Sequence, residues 1–158
     1  MKILITAAVT AQAYKLRSLL SSETTLIFAD QGDVPVLPGR EHLFLTIPSA
    51  DSTSFAHEML TLCLDHQIDY VYPLRRAEVI ALAEAKQLFE EYGIKVVVPG
   101  KSENVSFESS LPANGKILIV YQKENMLVDV AGEGDLGTGI YVAVPDGDGI
   151  SYHIYTAD

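Results

Sequence analysis

The sequence predicts an α/β fold, a doubly wound, mainly parallel sheet with helices on both faces, followed by a small antiparallel β meander. Three observations predict it. Short apolar, β-branched runs alternate with helical segments over the first hundred residues, which demands right-handed crossovers and a sheet covered on both faces. From Lys116 onward the strand-like runs follow one another with no helical segment between them. At 158 residues and 48% hydrophobic side chains, the chain has room for one domain with a real core plus an appendage.

Lys2 to Thr6 (KILIT) is the first buried strand, followed by a turn of small residues and a helical spacing over Tyr14 to Leu20. Thr24 to Ala29 (TTLIFA) is the second strand, and Asp30-Gln-Gly-Asp33 with Pro35, Pro38 and Gly39 opens an irregular loop. Leu43 to Ile47 is a shorter third strand. Asp51 or Ser52 is placed to cap a helix whose residues Phe55, Met59, Leu62 and Cys63 fall on one face. Ile68 to Tyr72 is a strand ended by Pro73, and a third helix over Arg75 to Tyr92 is stopped by Gly93 at the C′ position. Ile94 to Val98 is the next strand. The pattern divides the chain into an α/β domain over 1–100, a connector over 101–115 and an acidic β-meander extension over 116–158. The extension carries strands at Lys116 to Gln122, Met126 to Ala131, Gly139 to Val144 and Ile150 to Tyr155. Lys123-Glu-Asn125 and Pro145 to Gly149 supply tight turns, and Gly132 to Gly139 a longer one.

Charge and cysteine usage narrow the function classes. The net charge is −10, with 11 basic and 21 acidic side chains, so the average surface repels phosphate backbones and anionic lipids, and nucleic acid is excluded as an expected partner. The excess is uneven: 8 basic and 12 acidic residues lie in 1–100, against 3 and 9 in 101–158. No apolar run approaches the roughly 20 residues of a membrane span, the start lacks the pattern of a secretory signal, and Cys63 has no partner cysteine. These features predict a cytoplasmic protein.

Several residues are candidates for chemistry. The first turn, Thr6-Ala-Ala-Val-Thr-Ala-Gln12, lacks the glycines of GxGxxG, which disfavours NAD or FAD. A helix N-terminus with the hydroxyls of Thr6 and Thr10 still offers an anion site, and a turn of small residues chosen for tight packing is the alternative. Arg75 and Arg76 sit in the first turn of a helix, where the macrodipole disfavours cations, at the carboxyl end of the sheet where open α/β folds bind ligands. They can hold a phosphate or carboxylate, or they can pair with Glu78, Asp51 or the acidic tail. Asp30 can meet a ribose hydroxyl or cap its own loop. The histidines His42, His57, His66 and His153 have no metal-ligand spacing, no serine lies in GxSxG, and Cys63 falls on a core stripe. No catalytic residue and no metal site is therefore predicted.

The parts from Lys2 to Pro99 resemble the pre-ATP-grasp domain, a Rossmann-like fold, at the front of carbamoyl-phosphate-synthase-like and PylC-like ATP-grasp ligases. The resemblance lies in the opening ILIT strand, the FADQGDVPVL strand end with Asp30, the IPSADS helix start, and IDYVYPLRRAEVIALAEAKQLFEEYGIKVVVP with Glu78. It implies a domain that borders a nucleotide cleft, most ATP and metal ligands coming from a following ATP-grasp domain. The tail here is too short for that domain, so the expectation is a module that is not an enzyme on its own, with a role in binding or assembly. The alternative is a subunit of a split ligase that binds a nucleotide, an amino acid or another anion. No cofactor is expected, ATP only if a partner chain completes the site, and a homodimer or an ATP-grasp protein is the expected partner. The stretch Val128 to Ile140 is similar to the family's strand, glycine-rich loop and strand over ATP phosphates, with Asp129 where a lysine is usual and Glu133 and Asp135 in the loop. It is either a degenerate phosphate loop or a plain hairpin turn.

Overall fold

A computed structural model describes residues 1–32, 43–100, 105–121, 124–127 and 136–158. The first half alternates strands and helices as β1 (Lys2–Ile5), α1 (Ala11–Ser18), β2 (Thr25–Gln31), β3 (Leu43–Ile47), α2 (Phe55–Asp65), β4 (Tyr70–Tyr72), α3 (Arg76–Glu91) and β5 (Lys95–Val96). The strands form one parallel sheet in the order β3-β2-β1-β4-β5. The chain winds one way from β1 through β2 to β3 and the other way from β4 to β5, so the switch point lies between β1 and β4. The two faces are covered by different helices. Ile3, Ile5 and Phe28 share a cluster with Ala13 and Leu16 of α1, while Leu4, Ile27 and Val71 share one with Phe55, Met59, Leu82 and Phe89 of α2 and α3.

Helix ends follow backbone chemistry closely. Gly93, at φ +76, closes α3 with paired bonds from its own N–H to Glu90 and from the Ile94 N–H to Phe89, the six-to-one and five-to-two pattern of a Schellman motif. Gln67 closes α2 in the same way, its N–H reaching Leu64 and the Ile68 N–H reaching Cys63, but it is a non-glycine residue at φ +56. The start of α2 differs from expectation. Ser54 is the N-cap and makes no side-chain cap bond, while the Ser52 hydroxyl accepts the Ser54 N–H one step earlier.

The second half is a mixed sheet of β6 (Phe107–Glu108), β7 (Lys116–Tyr121), β8 (Glu124–Leu127), β9 (Gly139–Asp146) and β10 (Gly149–Tyr155), ordered β6-β10-β9-β7-β8. The pairings among β7 to β10 are antiparallel, as the pattern predicts. Their order is not the consecutive one of a simple meander, because β7 lies between β8 and β9. Two further details differ. The stretch expected as a plain connector supplies β6, which pairs in parallel with β10, and Glu124 and Asn125 belong to β8 rather than to a turn. The Gly147-Asp148 turn joins β9 to β10 with Gly147 at φ +60, as a two-residue hairpin loop requires. Gly139 sits beneath the Tyr141 ring, where an added Cβ would lie 2.9 Å from the ring edge.

Both faces of β7 and of the first part of β9 are buried, which explains why KILIVY and GIYVAV are nearly continuous apolar runs. Ile117, Ile119, Ile140, Val142 and Tyr155 join the α1-side cluster, and Leu118, Val120, Tyr141, Ala143 and Ile154 join the other. The second sheet adds to both clusters, and on the side where α1 is the one helix among the described residues it completes the cover of the first. The contact is also polar, since the Gln12 amide donates to the Ser109 carbonyl at 2.9 Å.

The Gln67 conformation yields a test. A left-handed backbone costs a non-glycine residue about 1–2 kcal/mol, offset in part by the entropy glycine brings to the unfolded chain. Gln67→Gly is therefore expected to stabilise the protein by up to about 1 kcal/mol in urea unfolding, whereas destabilisation would show that the Gln67 side chain contributes more than its backbone costs.

Candidate functional site

The carboxyl ends of β1 and β4 lie side by side, and the sequence candidates converge there. Thr6 follows β1 directly and ties the two strands together. Its N–H donates to Tyr72 at 3.2 Å and its hydroxyl accepts the Leu74 N–H at 2.8 Å. The turn after it places Ala7 at φ +53, a left-handed conformation for a residue with a side chain, at the point where a dinucleotide-binding turn would carry glycine. Thr10 is the N-cap of α1. Its hydroxyl donates to the Ala7 carbonyl at 2.7 Å and accepts the Ala13 N–H at 3.3 Å, so it is engaged in closing the turn.

Asp30, near the end of β2, is buried and carries three contacts. Its carboxylate accepts the Val9 N–H at 3.3 Å, the Gln31 N–H at 2.8 Å and the Arg75 guanidinium at 2.8 Å. A carboxylate of the chain itself thus occupies the approach to the α1 turn, and it holds one of the two candidate arginines. The other, Arg76, turns the opposite way. Its backbone N–H donates to the Asp158 side chain at 2.9 Å, its Nε donates to the Asp158 main-chain oxygen at 2.8 Å, and its guanidinium lies 5.4 Å from the Phe107 ring centre. The Ala157 N–H donates to the Leu74 carbonyl, and the buried Thr156 bonds back to Asp158 and to Glu108. The segment after β10 therefore crosses the carboxyl end of β4 and puts an acid on the N-terminus of α3, where the helix dipole favours one.

Glu78 lies in the first turn of α3, is fully buried, and has no well-formed hydrogen bond to either carboxylate oxygen among the described residues. Burial pushes its pKa up, against Thr6, Arg75 and Gln31, which approach it and favour the ionised form. The Arg75 Nε and the Tyr72 and Tyr155 hydroxyls are also buried with no hydrogen-bond partner among the described residues, and burial raises the pKa of both phenols. Each buried polar atom without a bond is costly to a folded interior. Of the sequence candidates, Thr6, Asp30, Arg75 and Glu78 come together, Thr10 adjoins them through the α1 turn, and Arg76 faces Asp158. Tyr72, Tyr155 and Asp158 had no motif to single them out. Asp51 is exposed and pairs with neither arginine among the described residues.

Remaining candidates sit elsewhere. His57 and His66 border a groove of about 580 Å³ between β3 and α2, and the described residues contain no cluster of three metal-ligating side chains. Cys63 is buried in the core, which pushes its thiol pKa up to about 12 and leaves it a poor nucleophile. Among the described residues no helix is long and apolar enough to cross a membrane. His42, Asp129, Glu133, Asp135 and the body of the Gly132 to Gly139 loop lie outside the described residues.

No family model matches the chain, and no curated protein matches it. Among solved structures the chain is similar to glycinamide-RNase-transformylase T from Mycobacterium tuberculosis, at 15% identity and a TM-score of 0.41, covering 61% of this chain and 28% of that one. A similarity of that size is coarse, and the α/β architecture rests on the strand order and register described above.

Glu78 yields a pH test. Because the folded state raises its pKa, its contribution to stability is fully present below the ordinary value near 4.5 and is lost as pH rises through the raised value. Glu78→Gln, neutral throughout, is expected to gain stability relative to the native chain as pH goes from 4.5 toward neutrality in urea titrations. A gap that narrows over that range would mean that ionised Glu78 is held by Arg75.

Proposed function

We propose that the chain is a non-catalytic, ATP-grasp-related module whose role is binding or assembly. One observation supports the reading above others: at the switch point, the chain's own acids stand where an anionic ligand would. Asp30 takes the N–H of Val9 and the guanidinium of Arg75, and Asp158 takes the first N–H of α3 together with Arg76. A triphosphate brought to this end would meet Asp30 and Asp158, so the residues present do not fit ATP on this chain alone. ATP enters the proposal only through a partner chain that completes a nucleotide site, and an ATP-grasp protein or a second copy is the partner the sequence resemblance suggests.

A second reading, an anion-binding subunit of a split ligase, draws on a different observation. Ala7 in a left-handed conformation and the unpartnered Arg75 Nε are strained features of the kind that gather at ligand sites. The two readings separate in solution. Thermal shift of the native chain against ATP, ADP, phosphate and amino acids should be flat, and the purified protein should show no ATPase activity. A ligand at a hundredfold excess over its dissociation constant would add about 2.7 kcal/mol, so a clear shift abolished in Arg75→Gln/Arg76→Gln would replace the module reading with the subunit one.

A further inference from the structure

The opposite end of the molecule carries a cavity of about 500 Å³ between the last turn of α1 and the start of β7, within the range of roughly 300–1,000 Å³ typical of small-molecule sites. Its walls are apolar, from Leu19, Leu111 and Ile117, and its polar rim is formed by Lys15, Ser18 and Lys116. In a chain with 21 acidic against 11 basic residues, none of the lining side chains is a carboxylate. The Lys15 charge has a local reason, since cations are favoured at the C-terminal end of α1. Lys116, the first residue of β7, has none: no described acid pairs with it, and it is exposed.

The walls are preformed. Leu111 and Pro112 pack against Gly115, where an added Cβ would lie 3.2 Å from the Leu111 methyl and 3.1 Å from the Pro112 ring, and the Gly115 N–H closes the turn on the Pro112 carbonyl at 2.9 Å. Leu19 is left 45% exposed at the rim. Because α1 runs antiparallel to the strands, this cavity lies at the amino end of the parallel sheet, away from the switch point and independent of the function proposed for it.

We propose that this cavity binds a single-chain amphiphile with an anionic headgroup, the chain lying on Leu19, Leu111 and Ile117 and the headgroup between Lys15 and Lys116. Apolar area supplies the affinity, and the lysines, two point charges without the planar fork of arginine, select an anion without demanding a bidentate geometry.

Calorimetry of the full chain with octanoate, nonanoate and decanoate below their micellar concentrations tests it, with decan-1-ol and octyl phosphate as companions. The expected result is one site per chain, with affinity rising about fourfold per methylene. Lys15→Gln/Lys116→Gln, two exposed positions, should keep the native melting temperature and bind decanoate roughly tenfold more weakly, while decan-1-ol binds both proteins alike. Ser18→Trp, which projects an indole over the opening, should abolish binding of all of them. Octyl phosphate binding in preference to decanoate would assign a phosphorylated headgroup within the same class. Several copies bound per chain, the same decanoate affinity in the double lysine variant, or no binding of any member of the series would overturn the proposal.

Discussion

The Asp30–Arg75 ion pair is the constraint around which the carboxyl end of the parallel sheet is arranged. At 2.8 Å, with Asp30 almost wholly buried and Arg75 about a quarter exposed, it joins the end of β2 to the start of α3 across β1. Burial penalises the Arg75 charge, and Asp30, through its hydrogen bond and its charge, more than offsets that together with Glu78 and Asp158. Removing either partner would leave the other desolvated, which costs more than the pair itself contributes. The same carboxylate accepts the Val9 N–H, so the conformation of the first turn and the anchoring of α3 share a single group. Thr6 supports this from the adjoining strand by accepting the Leu74 N–H, which fixes the register of β1 against the segment that delivers Arg75.

That arrangement explains the odd placement of two arginines at the start of a helix, Arg75 as the N-cap and Arg76 as the first helical residue. The dipole of α3 opposes cations there, yet each arginine is held by a distant part of the chain: Arg75 pairs with the Asp30 carboxylate, and the Arg76 Nε donates to the Asp158 main-chain oxygen while the Asp158 carboxylate takes the Arg76 N–H. The cost falls on Glu78. Its position in the first turn suits a carboxylate by the dipole argument, but with Arg75 committed to Asp30 it is left buried without a well-formed bond. The Tyr72 and Tyr155 hydroxyls face the same shortage, one from each sheet.

Much of the α/β half was legible because local signals there agree with the global fold. Strand cores, the helical faces of Phe55, Met59 and Cys63, and the stop at Gly93 each have a short-range cause, and the structure places them accordingly. The second half was less legible. Antiparallel pairing follows from strands without helices between them, but the order β8-β7-β9-β10 depends on which strand finds which neighbour, and nothing in the residues of β7 distinguishes its two edges. β6, only two residues long, has no periodicity to detect. The Gln67 turn went unseen because its left-handed conformation is carried by a residue that does not announce it.

The candidate site shows the same division between local and long-range causes. Asp30, Arg75 and Glu78 could be nominated because strand ends and helix starts bring chemistry to the carboxyl edge of such a sheet. The Asp30 partner of Arg75 could not, because the two lie 45 residues apart, whereas for Arg76 the acidic tail was among the partners the sequence offered, and Asp158 supplies it across 82 residues. Within the acidic tail, Asp158 folds inward onto α3. An acid that satisfies a helix N-terminus within its own chain removes two reasons for an external anion to bind there, the free N–H groups and the unpaired arginine. Any ligand of that end must therefore outcompete groups held at high effective concentration by the chain itself. The lysine-rimmed cavity at the other end carries no such internal competitor among its lining residues.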